Sequence, residues 1–488
     1  MKSSLDLKSV RLTKNLSENI DLVRGIFVKD SVLRFRTVSS AGGVSAAIFY
    51  FDGMVNNQII NESVVKPIVR SCEPPWEDRT AFLLSRLFAG EAKITESLEE
   101  MIRSVLYGDL LLLTEGSDRG IIVNAKGWRT RGISEPENER ILHGPREGFD
   151  EAAMFNLAMI RRKLLTPDLA IETMRIGRRT DTLVFICYLD SLVSEKTLML
   201  LKRRLERINI DGILDTNYIN ELIRDNRGSI FKTIGSTERP DIVAANLLEG
   251  RIALVVDGTP VVLALPYLFS ENFQSDEDYY TDYKMASFSR AIRIICFFLS
   301  ISVTGLYLAV SVFHIKLLPP AFALSIANSR KGVPFSPTLE ALLLIFVFET
   351  LKEAGLRMPQ SVGHALSIVG GLVVGQAAVE AKIVSAHMLI AVAISGIAGL
   401  MVPRLRTAVF VSRIAITLLA AVFGIYGVLG FLSVLLGHIL SLESFGLDYT
   451  VNLKNPNRQS LKDSLARAPW WNMIKRPPIQ KKDETRQR

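Results

Sequence analysis

AIRIICFFLSISVTGLYLAVSVF, residues 291–313, is a run of 23 amino acids in which Arg293 is the only charged residue. An α-helix of this length is about 34 Å long, and the hydrocarbon core of a bilayer is about 30 Å thick. Arg293 lies in the first turn, where its aliphatic stem lets the guanidinium reach the headgroups, so we predict an interfacial anchor there. The run predicts a helix that crosses a membrane.

The density of charge falls at this run. Residues 291–440 carry ten basic and four acidic residues, whereas the other 338 residues of the 488-residue chain carry 94 charges. A charge at the centre of a membrane helix costs roughly 2.5 to 3.5 kcal/mol, so this depletion separates a lipid-soluble part from a water-soluble part. The pattern excludes a wholly soluble enzyme, a disordered chain and a disulfide scaffold. We expect a soluble domain at residues 1–290, a helical membrane domain at 291–440 and a short basic tail at 441–488.

The basic excess belongs to the membrane part and the tail. The net charge is −3 over residues 1–290, +6 over 291–440 and +5 over 441–488. This distribution favours contact with the anionic headgroups of a lipid bilayer and not with nucleic acid, because a nucleic-acid partner requires a basic stripe on the soluble domain. In the tail, the adjacent Trp470 and Trp471 are typical interfacial anchors.

The soluble part has the composition of a mixed α/β fold. Its strand candidates are short apolar runs that end in turn sequences, at residues 47–51, 110–113, 182–189, 252–256 and 261–265. Residues 195–208 carry leucines at helical spacing, and Asp257-Gly258 is typical of a hairpin turn. We predict an α/β domain, in two subdomains that divide near residues 140–180, without a strict βαβ repeat.

Further apolar segments follow the first, at residues 339–350, 363–381, 383–402 and 408–440. The last is about 50 Å long as a straight helix, too long for one crossing, so we expect Gly424, Gly427 or Gly430 to break it into a hairpin. The positive-inside rule puts residues 1–290 and the basic tail on the cytosol side. Two ends on one side require an even number of crossings, so we predict six spans, with five as the alternative.

No catalytic signature is present. The chain has no P-loop, no dinucleotide-binding glycine motif, no H-E-x-x-H and no G-x-S-x-G, and its five histidines include no pair at i, i+4. We therefore expect neither an enzyme nor a cofactor or metal site.

Polar residues within the apolar segments are the informative positions. Gln376 and Glu380 are four residues apart and share a helix face, as do Glu349 and Glu353, and Glu340 lies near the start of its segment. Lipid cannot solvate a carboxylate, so such groups face a bundle interior or a watery passage. We predict these five residues as candidates for an ion pathway.

Simpler roles stay open for the same positions. Glu380 is one residue before the end of its segment and beside Lys382, so it can pair at the interface. Glu349 can mark the inner end of a short helix. Gly371 and Gly375 form a small-residue strip that permits close helix packing.

The sequence SIVGGLVVGQAAVEA at residues 367–381 resembles the A subunit of the GerA family of spore germinant receptors. The resemblance continues in order along nearly the whole chain, with FYFDG at 49–53, HGPREGFDE at 143–151, LLEGRIALVVDGTP at 247–260 and RAPWW at 467–471.

This resemblance implies an integral protein of the inner membrane of a dormant spore. It implies a transporter-like B subunit and a lipoprotein C subunit as partners, which together sense small nutrients and start germination by letting ions leave the core. Family A subunits are non-enzymatic and are thought to form homo-oligomers. Two functions remain open: a receptor subunit whose oligomer forms or gates an ion-release pathway, and a non-conducting scaffold that docks the other subunits.

Overall fold

The structure is a computed structural model of the chain. It describes residues 7–40, 45–71, 78–127, 143–357, 375–451 and 466–476, together with Gly43, Pro136, Glu139, Ile141, residues 462–464, Val373, Thr485 and Arg486. The strands are β1 Leu33–Ser39, β2 Ser45–Phe51, β3 Ala92–Thr95, β4 Leu110–Thr114, β5 Gly120–Val123, β6 Leu169–Ile176, β7 Thr182–Leu189, β8 Gly235–Thr237, β9 Ile252–Val256, β10 Val262–Leu265, β11 Glu443–Ser444 and β12 Leu447–Asp448.

The α-helices of the soluble part are α1 Leu16–Ile26, α2 Asn57–Ile59, α3 Lys66–Arg70, α4 Arg79–Arg86, α5 Leu98–Leu106, α6 Ala153–Lys163, α7 Glu195–Glu206, α8 Thr216–Ile223 and α9 Pro240–Leu248. Those of the apolar part are α10 Tyr283–Phe313, α11 Pro320–Ser329, α12 Pro337–Arg357, α13 Ala386–Leu400, α14 Arg406–Phe423 and α15 Ile425–Ser441.

The soluble part contains two five-stranded sheets with the same strand order. The first runs β1-β2-β4-β5-β3 and the second β6-β7-β9-β10-β8, and all neighbouring strands are antiparallel. The predicted mixed α/β class is confirmed. The repeat of one topology was not visible in the sequence, because the two halves share strand order and not residue pattern.

The predicted strand–helix unit and hairpin are confirmed. β7 has the predicted bounds, since its β-branched and aromatic residues suit a pleated, buried strand. α7 begins after Ser194, whose side chain accepts a hydrogen bond from the backbone N–H of Thr197. In the hairpin, β9 and β10 pair antiparallel across Gly258, which has the positive φ of +91° that the tight turn requires.

The two sheets meet at their edges. The chain passes from the first sheet to the second between Val123 and Leu169. Asp30, just before β1, forms a parallel bridge with Ile171 of β6. The Asp30 carboxylate also accepts a hydrogen bond from Arg161 of α6, and both side chains are buried. Inner faces of both sheets pack around α6, α5 and α9 in one hydrophobic core.

The apolar part is a bundle arranged around α10. This helix has 31 residues and is about 46 Å long, and it packs against α13, α14 and α15. Within the described residues, two helical segments are long and apolar enough to cross a membrane, Tyr283–Phe313 and Pro403–Phe423. α13 is shorter than predicted, because it begins only after Ser385, and at 15 residues it is about 22 Å long. Six crossings stay a prediction.

The long apolar run is broken at Gly424, which is one of the three glycines expected to break it. Gly424 has φ +58° and ψ −137° between α14 and α15, a conformation that disfavours any side chain. Gly427 permits the close approach of the two helices, since an added Cβ would lie 2.2 Å from the carbonyl oxygen of Leu419. Gly430 has nothing within 4 Å of such a Cβ.

Large apolar side chains point outward from the bundle. Ile295, Phe346, Ile397, Val422 and Val434 are each more than half exposed, and most exposed large hydrophobic residues of the described chain lie between residues 285 and 440. A monomer in water rarely presents apolar surface of this extent. The outer surface of the bundle is therefore suited to lipid.

Candidate functional site

A buried arginine joins four helices of the bundle. The Arg413 guanidinium, on α14, donates from Nε to the carbonyl oxygen of Ser300 (3.0 Å) and from Nη2 to that of Ser395 (3.0 Å). Its Nη1 lies 3.5 Å from a carboxylate oxygen of Glu349, which also has the Lys352 ammonium at 3.2 Å. Arg413 is 1% exposed, so α10, α12, α13 and α14 meet at one buried cation.

This arrangement gives the predicted pathway residue Glu349 two cationic partners. Arg413 was not predicted from the sequence as one of these partners. The sequence did carry a signal for this pairing. Arg413 lies seven positions beyond Arg406 and well inside an apolar helix, where an unpaired charge has a high free-energy cost.

Glu353 lies one turn beyond Glu349 and near the surface. Its carboxylate has Arg406 at 2.9 Å and Arg357 at 2.8 Å, and the side chain is about half exposed. A solvated double ion pair of this kind favours the simpler interpretation, in which Glu353 marks the end of its helix.

Gln376 and Glu380 lie on one helix face, as predicted. The Gln376 amide donates a hydrogen bond of 2.9 Å to the Glu380 carboxylate, and both side chains are exposed on the outside of the bundle. No ion pair between Glu380 and Lys382 is present in the described chain. A Cβ at Gly375 would make ordinary contact with Leu389 at 3.6 Å. Gly371 lies outside the described residues, so the small-residue strip stays a prediction.

Glu340 is fully buried at the opposite end of α12. One oxygen of its carboxylate accepts hydrogen bonds from the backbone N–H and the hydroxyl of Ser385, each of 2.6 Å. Ser385 is the residue before the first turn of α13. Glu340 therefore satisfies the N-terminus of a neighbouring helix.

A second group of charges joins α10 to the soluble domain and the tail. Arg293 donates to Asp278 (2.9 Å) and to the carbonyl oxygen of Phe273 (2.8 Å). Its guanidinium therefore has hydrogen-bond partners within the protein itself. Arg290 contacts the same Asp278 (2.8 Å) and Asp463 of the tail (3.0 Å). Burial acts to raise the pKa of Asp278, but the hydrogen bonds from the two arginines outweigh it and lower that pKa.

Arg404 links the turn between α13 and α14 to the soluble domain. It donates to the carbonyl oxygen of Glu271 (3.1 Å) and to Asp276 (3.3 Å), and Glu139 lies 3.8 Å away. Burial raises the pKa of both carboxyls, Asp276 and Glu139. The turn is thereby fixed to the soluble domain.

Arg293, Arg404, Asp276 and Glu139 line a cavity of about 640 Å³. Its walls come from α9 and β8, from the segment before α10, from the α13–α14 turn and from the tail. Among the described residues, no group of three or more His, Cys, Asp or Glu side chains is arranged to hold a metal ion.

Trp470 and Trp471 lie against the residues that precede and begin α10. Trp470 contacts the ring of Tyr279, with 6.1 Å between centroids, and Trp471 meets Tyr283 edge-on at 5.9 Å. Both indoles keep an exposed face. The tail therefore packs at the junction of the helical bundle with the soluble domain, and a lipid-facing role for the two residues stays a prediction.

The residues before α10 form a domain of two like sheets, and buried ion pairs join this domain to a helical bundle with an apolar exterior. The chain therefore belongs to the class of proteins that combine a sheet domain with a helical part suited to lipid. The chain belongs to the Bacillus/Clostridium GerA spore germination protein family, whose family model matches residues 14–479. The resemblance found in the sequence motifs is thus confirmed.

Individual relatives agree with this family. The chain is 39% identical to spore germination protein KA of Bacillus subtilis (strain 168), over 99% of this chain and 89% of the relative. It is 36% identical to the uncharacterized membrane protein YfkQ of the same organism, over 96% and 91%. The crystal structure of the N-terminal domain of the A subunit of the Bacillus megaterium spore germinant receptor GerK3 is 33% identical, over 53% of this chain and 98% of that chain, with a TM-score of 0.42.

Proposed function

We propose that this chain is the A subunit of a nutrient germinant receptor in the spore inner membrane and that its homo-oligomer forms or gates an ion-release pathway. The family supports a role in spore germination, and one relative is named as a membrane protein. The apolar exterior of the bundle supports insertion in the bilayer. The soluble domain and the tail then lie on the cytosol side, with a transporter-like B subunit and a lipoprotein C subunit as partners.

The observation that carries the pathway is the exposed pair Gln376 and Glu380. Both side chains project from the outside of a single-chain bundle whose exposed side chains are largely apolar. A carboxylate cannot face acyl chains without a large cost, so this surface faces water or another chain. Repeated around an oligomer, Glu380 forms a ring of negative charge of the kind that selects cations.

The ion pairs at the junction supply a route for coupling. Arg404 fixes the α13–α14 turn to Asp276, and Arg290 and Arg293 fix the start of α10 to Asp278. A rearrangement of the soluble domain therefore acts on the ends of three bundle helices. A ligand-occupied partner favours the open state to the extent that it binds that state more tightly.

Replacing Glu380 with glutamine tests the pathway in the assembled receptor. Glu380→Gln keeps the hydrogen bond with Gln376 and removes the charge, so we expect slower release of monovalent cations with unchanged assembly. Glu443→Gln is the matched control, since Glu443 is exposed just after α15. Unchanged cation release from a correctly assembled Glu380→Gln receptor would remove this residue from the pathway.

A non-conducting scaffold is the second candidate, and one observation favours it. Arg413, which is buried in the bundle interior, pairs with Glu349 and donates hydrogen bonds to two backbone carbonyl oxygens. The Glu349 carboxylate is therefore engaged by Arg413 and Lys352 and is not free for a passing ion. In this case ions pass through a partner subunit, and substitutions at Glu380 change binding of that partner before they change conduction.

A further inference from the structure

The Glu340 carboxylate has no cationic partner among the described residues. Its side chain is fully buried, and no lysine, arginine or histidine nitrogen of the described chain lies within 4.0 Å of its carboxylate. One oxygen, Oε1, is satisfied by Ser385. The other, Oε2, is buried without any hydrogen-bond partner in the described chain.

A second unsatisfied oxygen lies in the same region. The hydroxyl of Tyr307, on α10, is also buried without a hydrogen-bond partner among the described residues. It lies within electrostatic range of the Glu340 carboxylate and of Arg330, and close to the hydroxyl of Ser385. The Ser385 hydroxyl, 2.6 Å from Glu340 and close to Tyr307, thus brings side-chain oxygens from α10, α12 and the start of α13 into one buried region.

The local charge balance calls for a positive group. A buried carboxylate without compensation is one of the costliest arrangements in a protein. The N-terminus of α13 contributes about half of a positive charge and leaves the rest unbalanced. Neither nearby cation of the described chain forms an ion pair with Glu340: the stem of Lys382 packs on Gly332, and Arg330 lies within electrostatic range of Tyr307 without reaching the carboxylate.

The geometry points to a binding site for a monovalent inorganic cation, formed by the Glu340 carboxylate and the hydroxyls of Tyr307 and Ser385. Oxygen ligands suit hard cations. A single carboxylate beside a helix N-terminus suits one positive charge, whereas divalent sites usually gather several carboxylates. Such an ion ties α10, α12 and α13 together at the end of the bundle far from Glu353. The site goes beyond the proposed pathway, since it is occupied whether or not the chain conducts.

Thermal unfolding of the full chain in nanodiscs of zwitterionic lipid tests the site. Melting is measured at neutral pH and fixed ionic strength, with sodium or potassium chloride replacing choline chloride. We expect a saturable rise in melting temperature for the wild-type chain with at least one of the two cations, because binding to the native state alone stabilises it. Glu340→Gln removes this dependence, and Glu443→Gln, the control, retains it.

Tyr307→Phe keeps the test decisive if Glu340→Gln fails to fold. Loss of one ligand raises the half-saturating cation concentration several-fold without removing the effect. A wild-type melting temperature that is the same in choline as in sodium and potassium overturns the proposal. A cation effect of equal size and midpoint in wild type, Glu340→Gln and Tyr307→Phe also overturns it, by assigning the effect to another site.

Discussion

Arg413→Met is the most informative single change in the bundle. It keeps the apolar volume of the side chain and removes two hydrogen bonds to carbonyl oxygens and the ion pair with Glu349. Removing one partner of a buried ion pair typically costs about 3 to 5 kcal/mol. Glu349 keeps Lys352 at 3.2 Å and is 17% exposed, so we expect a loss near the lower end, about 3 kcal/mol.

Arg406→Met is the matched control on the same helix. Arg406 also pairs with a glutamate of α12, Glu353, but both side chains are more than 40% exposed. Exposed pairs contribute about 0.2 to 1 kcal/mol, so this variant should stay within 1 kcal/mol of wild type. The two substitutions are chemically identical, and the difference between them measures the effect of burial.

The assay is denaturation of the full chain in mixed micelles by added SDS, followed by the helical circular dichroism signal. Glu349→Gln and the double variant Arg413→Met/Glu349→Gln complete a double-mutant cycle. The destabilisation of the double variant should be smaller than the sum of the two single-variant destabilisations by about 2 kcal/mol. If Arg413→Met is no more destabilising than Arg406→Met, or if the cycle is additive, Arg413 does not hold the helices as its contacts indicate.

Three further predictions concern other parts of the chain. Gly427→Ala should disrupt the α14–α15 hairpin while Gly430→Ala is tolerated, which crosslinking of the two helices after substitution can measure. Asp278→Asn should destabilise the chain at neutral pH; because the folded pKa of Asp278 is lowered, this difference should start to shrink as the pH falls below about 4 and vanish only below the folded pKa, and a pH-independent difference would contradict it. Arg161→Met leaves the buried Asp30 unpaired and should cost about 3 to 5 kcal/mol, with faster hydrogen exchange where the sheets meet; unchanged exchange there would show that the pair does not join them.

The fold follows from the sequence wherever local pattern and burial agree. Residues 182–189 are mostly apolar and rich in β-branched and aromatic residues, and they form an interior strand with the predicted bounds. The 33-residue apolar run requires a break, because its length exceeds a bilayer. The sequence offered three glycines and could not choose among them, since the choice depends on a positive φ at Gly424 and on the approach of Leu419 to Gly427.

The contacts that the site residues make with distant parts of the chain could not be predicted from the sequence. The i, i+4 face of Gln376 and Glu380 follows from helix periodicity alone. The partners of Arg413 are carbonyl oxygens of two other helices, and only the packed bundle brings them together. The contact between Arg290 and Asp463 likewise spans 173 residues, and nothing in a local pattern indicates it.

The current across a planar bilayer that contains only this purified chain tests the proposed function most directly. If the homo-oligomer forms the pathway, the chain alone conducts monovalent cations, and Glu380→Gln lowers the conductance or the preference for cations while Glu443→Gln does not. A bilayer that contains verified oligomers of the chain and carries no current contradicts a pathway through this subunit and leaves the scaffold.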